Sequence, residues 1–185
     1  MLTTTSCSGT DRLAEAATLL SIPEQDVVVN IQGDQPLFAA EVVDQVATPL
    51  LEDPALPMAT LIYKITRPEE IDDPNHVKTV FDCHGKALYF SRSSIPFQRN
   101  PEEPVAPTYY KHLGFYAYRK GFLLTFVGLP EGEWERFEKL EQLRALEFGY
   151  DIKVVLTDHD SVEVDTPKDL ERVEALLRSQ KRCSH

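Results

Sequence analysis

The sequence predicts an α/β fold built around a mixed sheet. Three observations point to it. Towards each end, amphipathic helical stretches alternate with short, continuous apolar runs. Between them lies a section that reads as antiparallel hairpins. A length of 185 residues, 42% hydrophobic and 26% charged, is ordinary for one globular domain. That domain is expected over 1–178, followed by a short tail over 179–185.

The first element is a helix. Ser8 can cap it, Asp11 completes a capping box, and Leu13, Ala16, Ala17 and Leu20 share an apolar face. Residues 27–31 form an apolar run suited to a buried strand, ended by Gly33 and Pro36. Residues 39–51 place Val42, Val43, Val46 and Leu50 on one side of a helix whose end Pro49 should distort. Residues 58–65 read as a strand and 67–74 as an acidic, proline-flanked loop. Residues 77–82 and 87–91 flank a hairpin loop at 83–86. Three prolines and two glutamates make 100–108 an exposed loop. Residues 111–118 read as a strand. One helix is expected over 133–148, with Phe137, Leu140, Leu143 and Leu146 on its core side, then a buried strand over 152–156. Thr166 caps a final helix, with Pro167 at its first position, Asp169 closing a capping box, and Leu170, Val173 and Leu176 as its face.

Doubly wound folds usually open with a strand, and the turn after it binds phosphate. This chain opens with a helix and has no Gly-rich loop of either standard spacing. The pattern therefore predicts that a first strand–loop–helix unit is missing.

Composition excludes several classes of function. A net charge of −11 argues against a nucleic-acid partner, because phosphates want a basic face. A phosphate-bearing substrate must then be met by a metal or a local basic patch. Cys7, Cys83 and Cys183 are odd in number and far apart, so neither a zinc site nor a disulfide framework is implied, and a reducing cytoplasm fits. No apolar run approaches the roughly 18 residues of a membrane span. Residues 1–5 lack the charged and apolar regions of a signal peptide.

Gln32-Gly33-Asp34-Gln35-Pro36 follows a buried strand, where open α/β sheets bind ligands. Asp34 suits a hard cation such as Mg²⁺, which takes oxygen ligands and few protein carboxylates; Gly, Asp and Pro are equally the usual residues of a plain turn. Asp165 lies beyond the last strand and could complete such a site with Asp34, although Asp and Thr before Pro also simply start helices. Ser8-Gly9-Thr10-Asp11-Arg12 offers free backbone N–H groups to an anion or nucleobase edge, or merely caps its helix. Arg92, Lys111, His112, Arg119 and Lys120 would form a basic group if their strands converge, with Tyr116 close by. Glu141 and Gln142 could bond sugar hydroxyls or belong to a solvated helix face. Asp158-His159-Asp160 and Cys83-His84 lack the spacing of a metal site.

In chain order, S-G-T-D-R-L-A-E from Ser8, V-N-I-Q-G-D-Q-P from Val29, A-L-Y-F-S-R-S-S-I-P from Ala87, K-H-L-G-F-Y-A-Y-R from Lys111, L-E-Q-L-R from Leu140 and V-D-T-P-K-D-L-E-R-V from Val164 resemble the 3-deoxy-manno-octulosonate cytidylyltransferases, or CMP-Kdo synthetases. The likeness runs from about Cys7 to about Leu177, and the ordered set is specific, although Q-G-D-x-P also occurs in related nucleotidyltransferases. The family's Arg/Lys/Gly-rich opening loop has no counterpart in this chain. The resemblance implies a Rossmann-like nucleotidyltransferase of the nucleotide-diphospho-sugar transferase type, usually a cytoplasmic homodimer. It implies transfer of CMP from CTP to Kdo with Mg²⁺, releasing pyrophosphate, for lipopolysaccharide synthesis. By resemblance, Asp34 and Asp165 are the catalytic Mg²⁺ ligands. Ser8, Gly9, Thr10, Arg12 and Gln32 contact the nucleotide; Arg92, His112, Tyr116, Glu141 and Gln142 form the sugar-acid pocket. Gln35 stands where Glu is more usual, which removes a charge beside the metal. The alternatives are a non-catalytic sugar-binding or dimerising remnant, or a cytidylyltransferase for another acidic sugar.

Overall fold

The computed structural model describes residues 8–161 and, beyond them, Val164, Glu171, Val173, Glu174 and Leu177. The elements are α1 (Gly9–Leu19), β1 (Val27–Asn30), α2 (Glu41–Glu52), β2 (Met58–Lys64), α3 (Glu69–Asp72), β3 (Lys78–Phe81), β4 (Ala87–Ser91), β5 (Tyr110–Arg119), α4 (Lys120–Gly128), α5 (Glu133–Glu138), α6 (Leu143–Glu147) and β6 (Ile152–Thr157). The final capped helix falls largely outside the described residues: of its expected face only Val173 is described, helical and buried.

The long strand β5 organises the sheet. β2 runs antiparallel along one edge of it. The other edge is shared: β1 pairs antiparallel with residues 116–119, and β3 meets β5 at Lys111. β4 closes a hairpin onto β3, and β6 adds parallel to the far edge of β2. The sheet is therefore mixed, and α-helices cover both faces.

Alternation along the strands assigns the layers. On one face, Ala59, Leu61, Leu113, Phe115 and Ala117 pack against Val42, Val46 and Leu50 of α2. On the other, Met58, Ile62, Tyr116 and Tyr118 pack with Ala14 and Ala17 of α1, Phe122 and Phe126 of α4, and Leu143 and Ala145 of α6. Because β2 is covered on both sides, its first five residues are all buried, and all but Thr60 are apolar. Burying one such Leu or Val stabilises the fold by about 1.5–3 kcal/mol.

The local signals act as their chemistry requires. The Asp11 N–H donates to Ser8 Oγ at 3.1 Å and the Ser8 N–H to Asp11 Oδ2 at 3.0 Å, so the capping box is complete. The hairpin turns over Cys83–Lys86, with Gly85 at φ 73°. α2 runs to Glu52 with Pro49 inside it, one residue past its expected end. Three expectations change. Leu20 is 62% exposed, and the buried stripe of α1 is Thr10, Ala14 and Ala17. The acidic loop contains the short α3 with Glu70 buried. The helix expected over 133–148 is two helices, broken at Lys139, which takes a left-handed conformation (φ 53°), and Phe137 faces solvent at 73% exposure.

That break has a tertiary cause. Arg92, just past β4, donates from Nε to the Glu138 carbonyl at 2.7 Å and from Nη2 to the Lys139 carbonyl at 3.4 Å. The Glu138 carboxylate in turn accepts from Ser91 Oγ at 2.6 Å and the Arg92 N–H at 2.9 Å. Carbonyls that would continue a helix are capped from the sheet instead, and the chain between α5 and α6 turns inward at Glu141 and Gln142. Among the described residues, no helix is long and apolar enough to cross a membrane.

Candidate active site

The site forms where the start of α1, the end of β1, the middle of β5 and the turn before α6 meet. The capped start of α1 buries Thr10, whose hydroxyl donates to Glu141 Oε2 at 2.5 Å across 131 residues of sequence. The Tyr118 hydroxyl also bonds Thr10, and burial with the nearby Glu141 charge raises the Tyr118 pKa well above its usual value. Gln32 lies over the same helix start: a side chain at Gly9 would meet Gln32 Oε1 at 4.0 Å. Ser8, Gly9, Thr10 and Gln32, expected on the nucleotide side, thus adjoin Glu141, expected on the sugar side. Arg12 projects into solvent from α1.

Along the same face of β5, His112, Tyr116 and Tyr118 form an aromatic ladder. The His112 and Tyr116 rings are 5.2 Å apart, and Tyr116 stacks on Tyr118 at 5.7 Å. Phe90 meets the edge of His112 at 5.3 Å. Burial pushes the His112 pKa down to about 3, so the imidazole is neutral near neutral pH. Gln142 is buried at 4% exposure, and among the described residues its Nε2 has no hydrogen-bond partner. A buried amide of that kind is unfavourable until a ligand or water satisfies it. The turn carrying Glu141 and Gln142 is held by Arg144, which donates to both carboxylate oxygens of Glu135 at 2.7 and 2.6 Å.

Arg92 sits apart from this group. It uses Nε, Nη1 and Nη2 on the carbonyls of Glu138, Pro74 and Lys139, beside a cavity of about 830 Å³ lined also by Ile71, Ser94, Phe97 and Tyr109. The expected basic group does not assemble. Lys111 is buried on the opposite face of β5, bonded to Glu70 at 3.1 Å and to Asp160 at 2.9 Å. Arg119 donates to the carbonyls of Gln25, Leu50, Asp53 and Leu56. Lys111 and Arg119 stand near opposite ends of β5, and each is already engaged by partners of its own.

Asp34 lies exposed beyond β1, and its carboxylate makes no hydrogen bond or ion pair among the described residues. Its carbonyl accepts the Val164 N–H at 2.9 Å, which brings the chain after β6 back beside it. Asp165, the next residue, lies outside the described residues. A free, solvated carboxylate at the end of a strand fits a hard cation such as Mg²⁺. Among the described residues no three His, Cys, Asp or Glu side chains cluster as a metal site.

Sequence reasoning missed Tyr118, Thr60, Arg144 and Glu138. Of these, only Thr60 carried a readable signal, as a polar residue in the middle of the apolar run 58–62.

A mixed sheet covered by helices on both faces, with the candidate site beside a capped helix start, fits a nucleotidyltransferase-type domain. The Cytidylyltransferase family profile matches residues 1–152. The chain is 60% identical over 175 residues to the 3-deoxy-manno-octulosonate cytidylyltransferase of Syntrophus aciditrophicus, covering 95% of this chain and 70% of that one. It therefore belongs to the 3-deoxy-manno-octulosonate cytidylyltransferase family of cytidylyltransferases. It is also 50% identical over 179 residues to an 8-amino-3,8-dideoxy-manno-octulosonate cytidylyltransferase of Shewanella piezotolerans, covering 96% of this chain and 71% of that one. A structure of CMP:2-keto-3-deoxy-manno-octonic acid synthetase complexed with CTP superimposes with a TM-score of 0.84 at 40% identity, over 95% of this chain and 70% of that chain.

Proposed function

We propose that this chain transfers CMP from CTP to 3-deoxy-D-manno-octulosonate. The anomeric hydroxyl attacks the α-phosphorus, a new P–O bond forms, the α–β phosphoanhydride breaks, and the hydroxyl proton is lost as pyrophosphate leaves. The observation that carries this reading is the Thr10–Glu141 hydrogen bond, because it joins the nucleotide-side helix start to the sugar-side turn. Two ligands bound on either side of that contact are held adjacent, and positioning supplies much of the catalysis in such transfers.

The residues divide the work. The α1 start, with Ser8, Gly9 and Thr10, presents backbone N–H groups, and Gln32 an amide, to the nucleotide. Glu141, Gln142, His112 and Tyr116 offer uncharged or acceptor groups suited to sugar hydroxyls. His112 contributes hydrogen bonding and no positive charge, which changes its expected part: the sugar's carboxylate must be met elsewhere, by a cation such as Arg12 or Arg92. Asp34 and Asp165 would hold Mg²⁺, which when bound neutralises phosphate charge. A cytoplasmic homodimer belongs to the same proposal. Supporting it are Phe97 and Val105, 84% and 80% exposed, as an apolar surface for a second copy, and Cys83, a free exposed thiol suited to a reducing compartment.

The test is a pyrophosphate-release assay with CTP and either Kdo or its 8-amino analogue, paired with calorimetry of each ligand. Release should require CTP and one acidic sugar. Glu141→Ala should weaken binding of that sugar about tenfold or more, from the loss of a charged hydrogen-bond partner. No release, together with no heat from either sugar, would overturn the reading.

A further inference from the structure

Thr60 is fully buried in the middle of β2, where an apolar residue would be ordinary. It sits at an irregularity of the β2–β5 ladder. Thr60 pairs with Tyr116, but Leu61 pairs with Leu113, so Gly114 and Phe115 have no partner on β2. Such a bulge turns carbonyls out of the ladder, and a buried carbonyl needs a donor. The Thr60 hydroxyl supplies it, lying 2.7 Å from the Phe115 carbonyl and 3.3 Å from that of Leu113. The same oxygen is 2.9 Å from His112 Nε2.

A threonine hydroxyl has one proton. Carbonyl oxygens carry none, so an oxygen–oxygen contact of 2.7 Å requires the hydroxyl to donate to Phe115. With that proton committed, the contact to His112 holds only if Nε2 carries a proton and donates to Oγ1. A bare Nε2 would place two lone pairs 2.9 Å apart. In the neutral ring the other nitrogen, Nδ1, is then an acceptor, and it has no hydrogen-bond partner among the described residues. The ring is held from two sides by Phe90 and Tyr116.

We propose that Thr60 is a positioning residue that locks His112 as its Nε2–H tautomer, leaving Nδ1 to accept a hydrogen bond from a hydroxyl of the acidic sugar. The lock stands on the fold alone; its use rests on the sugar-transfer reading above. A bulge that needs a donor and a histidine that needs a fixed tautomer are served by one hydroxyl.

The test is ¹⁵N NMR of histidine-labelled protein without ligands at neutral pH, with the His112 signals assigned by their loss in His112→Asn. The expected spectrum shows Nε2 protonated and Nδ1 bare. An Nδ1–H tautomer, an imidazolium or a fast-exchanging mixture would overturn the proposal, whether or not the protein transfers CMP. Thr60→Val, which keeps the shape and removes the oxygen, should give mixed tautomers. It should also raise KM for the sugar about tenfold, the size expected for one hydrogen bond, with KM for CTP unchanged. Thr60→Ser should restore both. An unchanged tautomer in Thr60→Val, or a KM effect shared equally by CTP, would contradict the assignment. If Thr60→Val fails to fold, the wild-type and Thr60→Ser spectra still decide it. Absence of sugar binding with the expected wild-type spectrum would sink the functional reading and leave the lock standing.

Discussion

Lys111 and His112 are adjacent in β5, yet they face different chemistry. Lys111 points to the α2 side, 3% exposed, where Glu70 and Asp160 pair with it and Arg67 also bonds Glu70. His112 points to the other side, neutral, among Phe90, Tyr116 and Thr60. The first is a structural clamp: through Asp160 it ties down the segment that returns to Asp34 at Val164. The second belongs to the candidate site. A basic residue's role here is decided by the side of the sheet it faces and by whether a carboxylate waits there, and one step along the strand reverses both.

The largest effect should come from breaking the clamp. Lys111→Met leaves Glu70 buried with a carboxylate oxygen that already lacks a partner among the described residues. Removing one member of a buried ion pair costs about 3–5 kcal/mol, so chemical denaturation should show a loss of that order. His112→Asn should cost far less stability and act on sugar binding instead. Equal losses would erase the distinction between the faces.

Asp34→Ala should do the reverse of Lys111→Met. Its carboxylate holds nothing among the described residues, so stability should stay within about 0.5 kcal/mol of wild type. Turnover should fall about a hundredfold or more if that group anchors a catalytic cation. Asp165→Ala should match it. Retained activity in either would remove the metal assignment.

The neutral histidine has a pH signature. Its folded pKa of about 3 lies below the ordinary 6.5, so on acidification the unfolded chain takes the proton first. The unfolded state then binds more protons, and stability must fall as pH drops from 6.5 towards 3. His112→Asn should flatten the slope of stability against pH between about pH 5 and 7, above most carboxylate titrations. An unchanged slope would show that another group controls it. The smallest effect is local: Ser8→Ala removes the α1 cap and should cost about 1 kcal/mol, read as a lower denaturation midpoint.

Much of this was legible in the sequence, and the failures share a cause. The capping box at Ser8 and Asp11, the 83–86 hairpin and the strands are written in local chemistry, and each forms. The break at Lys139 is not local, because the apolar spacing of Leu140, Leu143 and Leu146 suits one helix or two; Arg92, distant in sequence, decides it by capping the Glu138 and Lys139 carbonyls. Leu20 has the spacing of a core residue, but α1 has left the core by its end. The motifs pointed to Thr10, Gln32, Glu141 and Gln142, and the fold brings Thr10 to Glu141 and Gln32 to the α1 start. The expected basic group does not form because Arg92, Lys111 and Arg119 lie at separate places, each bound to carboxylates or carbonyls of its own. The full part played by Thr60 could not be read, since a bulge is invisible until both strands are placed.

The central claim is that CMP passes to an acidic sugar where the α1 start meets the Glu141 turn. Phosphorus NMR of the protein with CTP, Mg²⁺ and Kdo tests it most directly. The account predicts a growing sugar–phosphodiester resonance matched by pyrophosphate, and its marked slowing in Glu141→Ala at limiting sugar. CTP that persists unchanged, or a product that forms equally fast in Glu141→Ala, would contradict it.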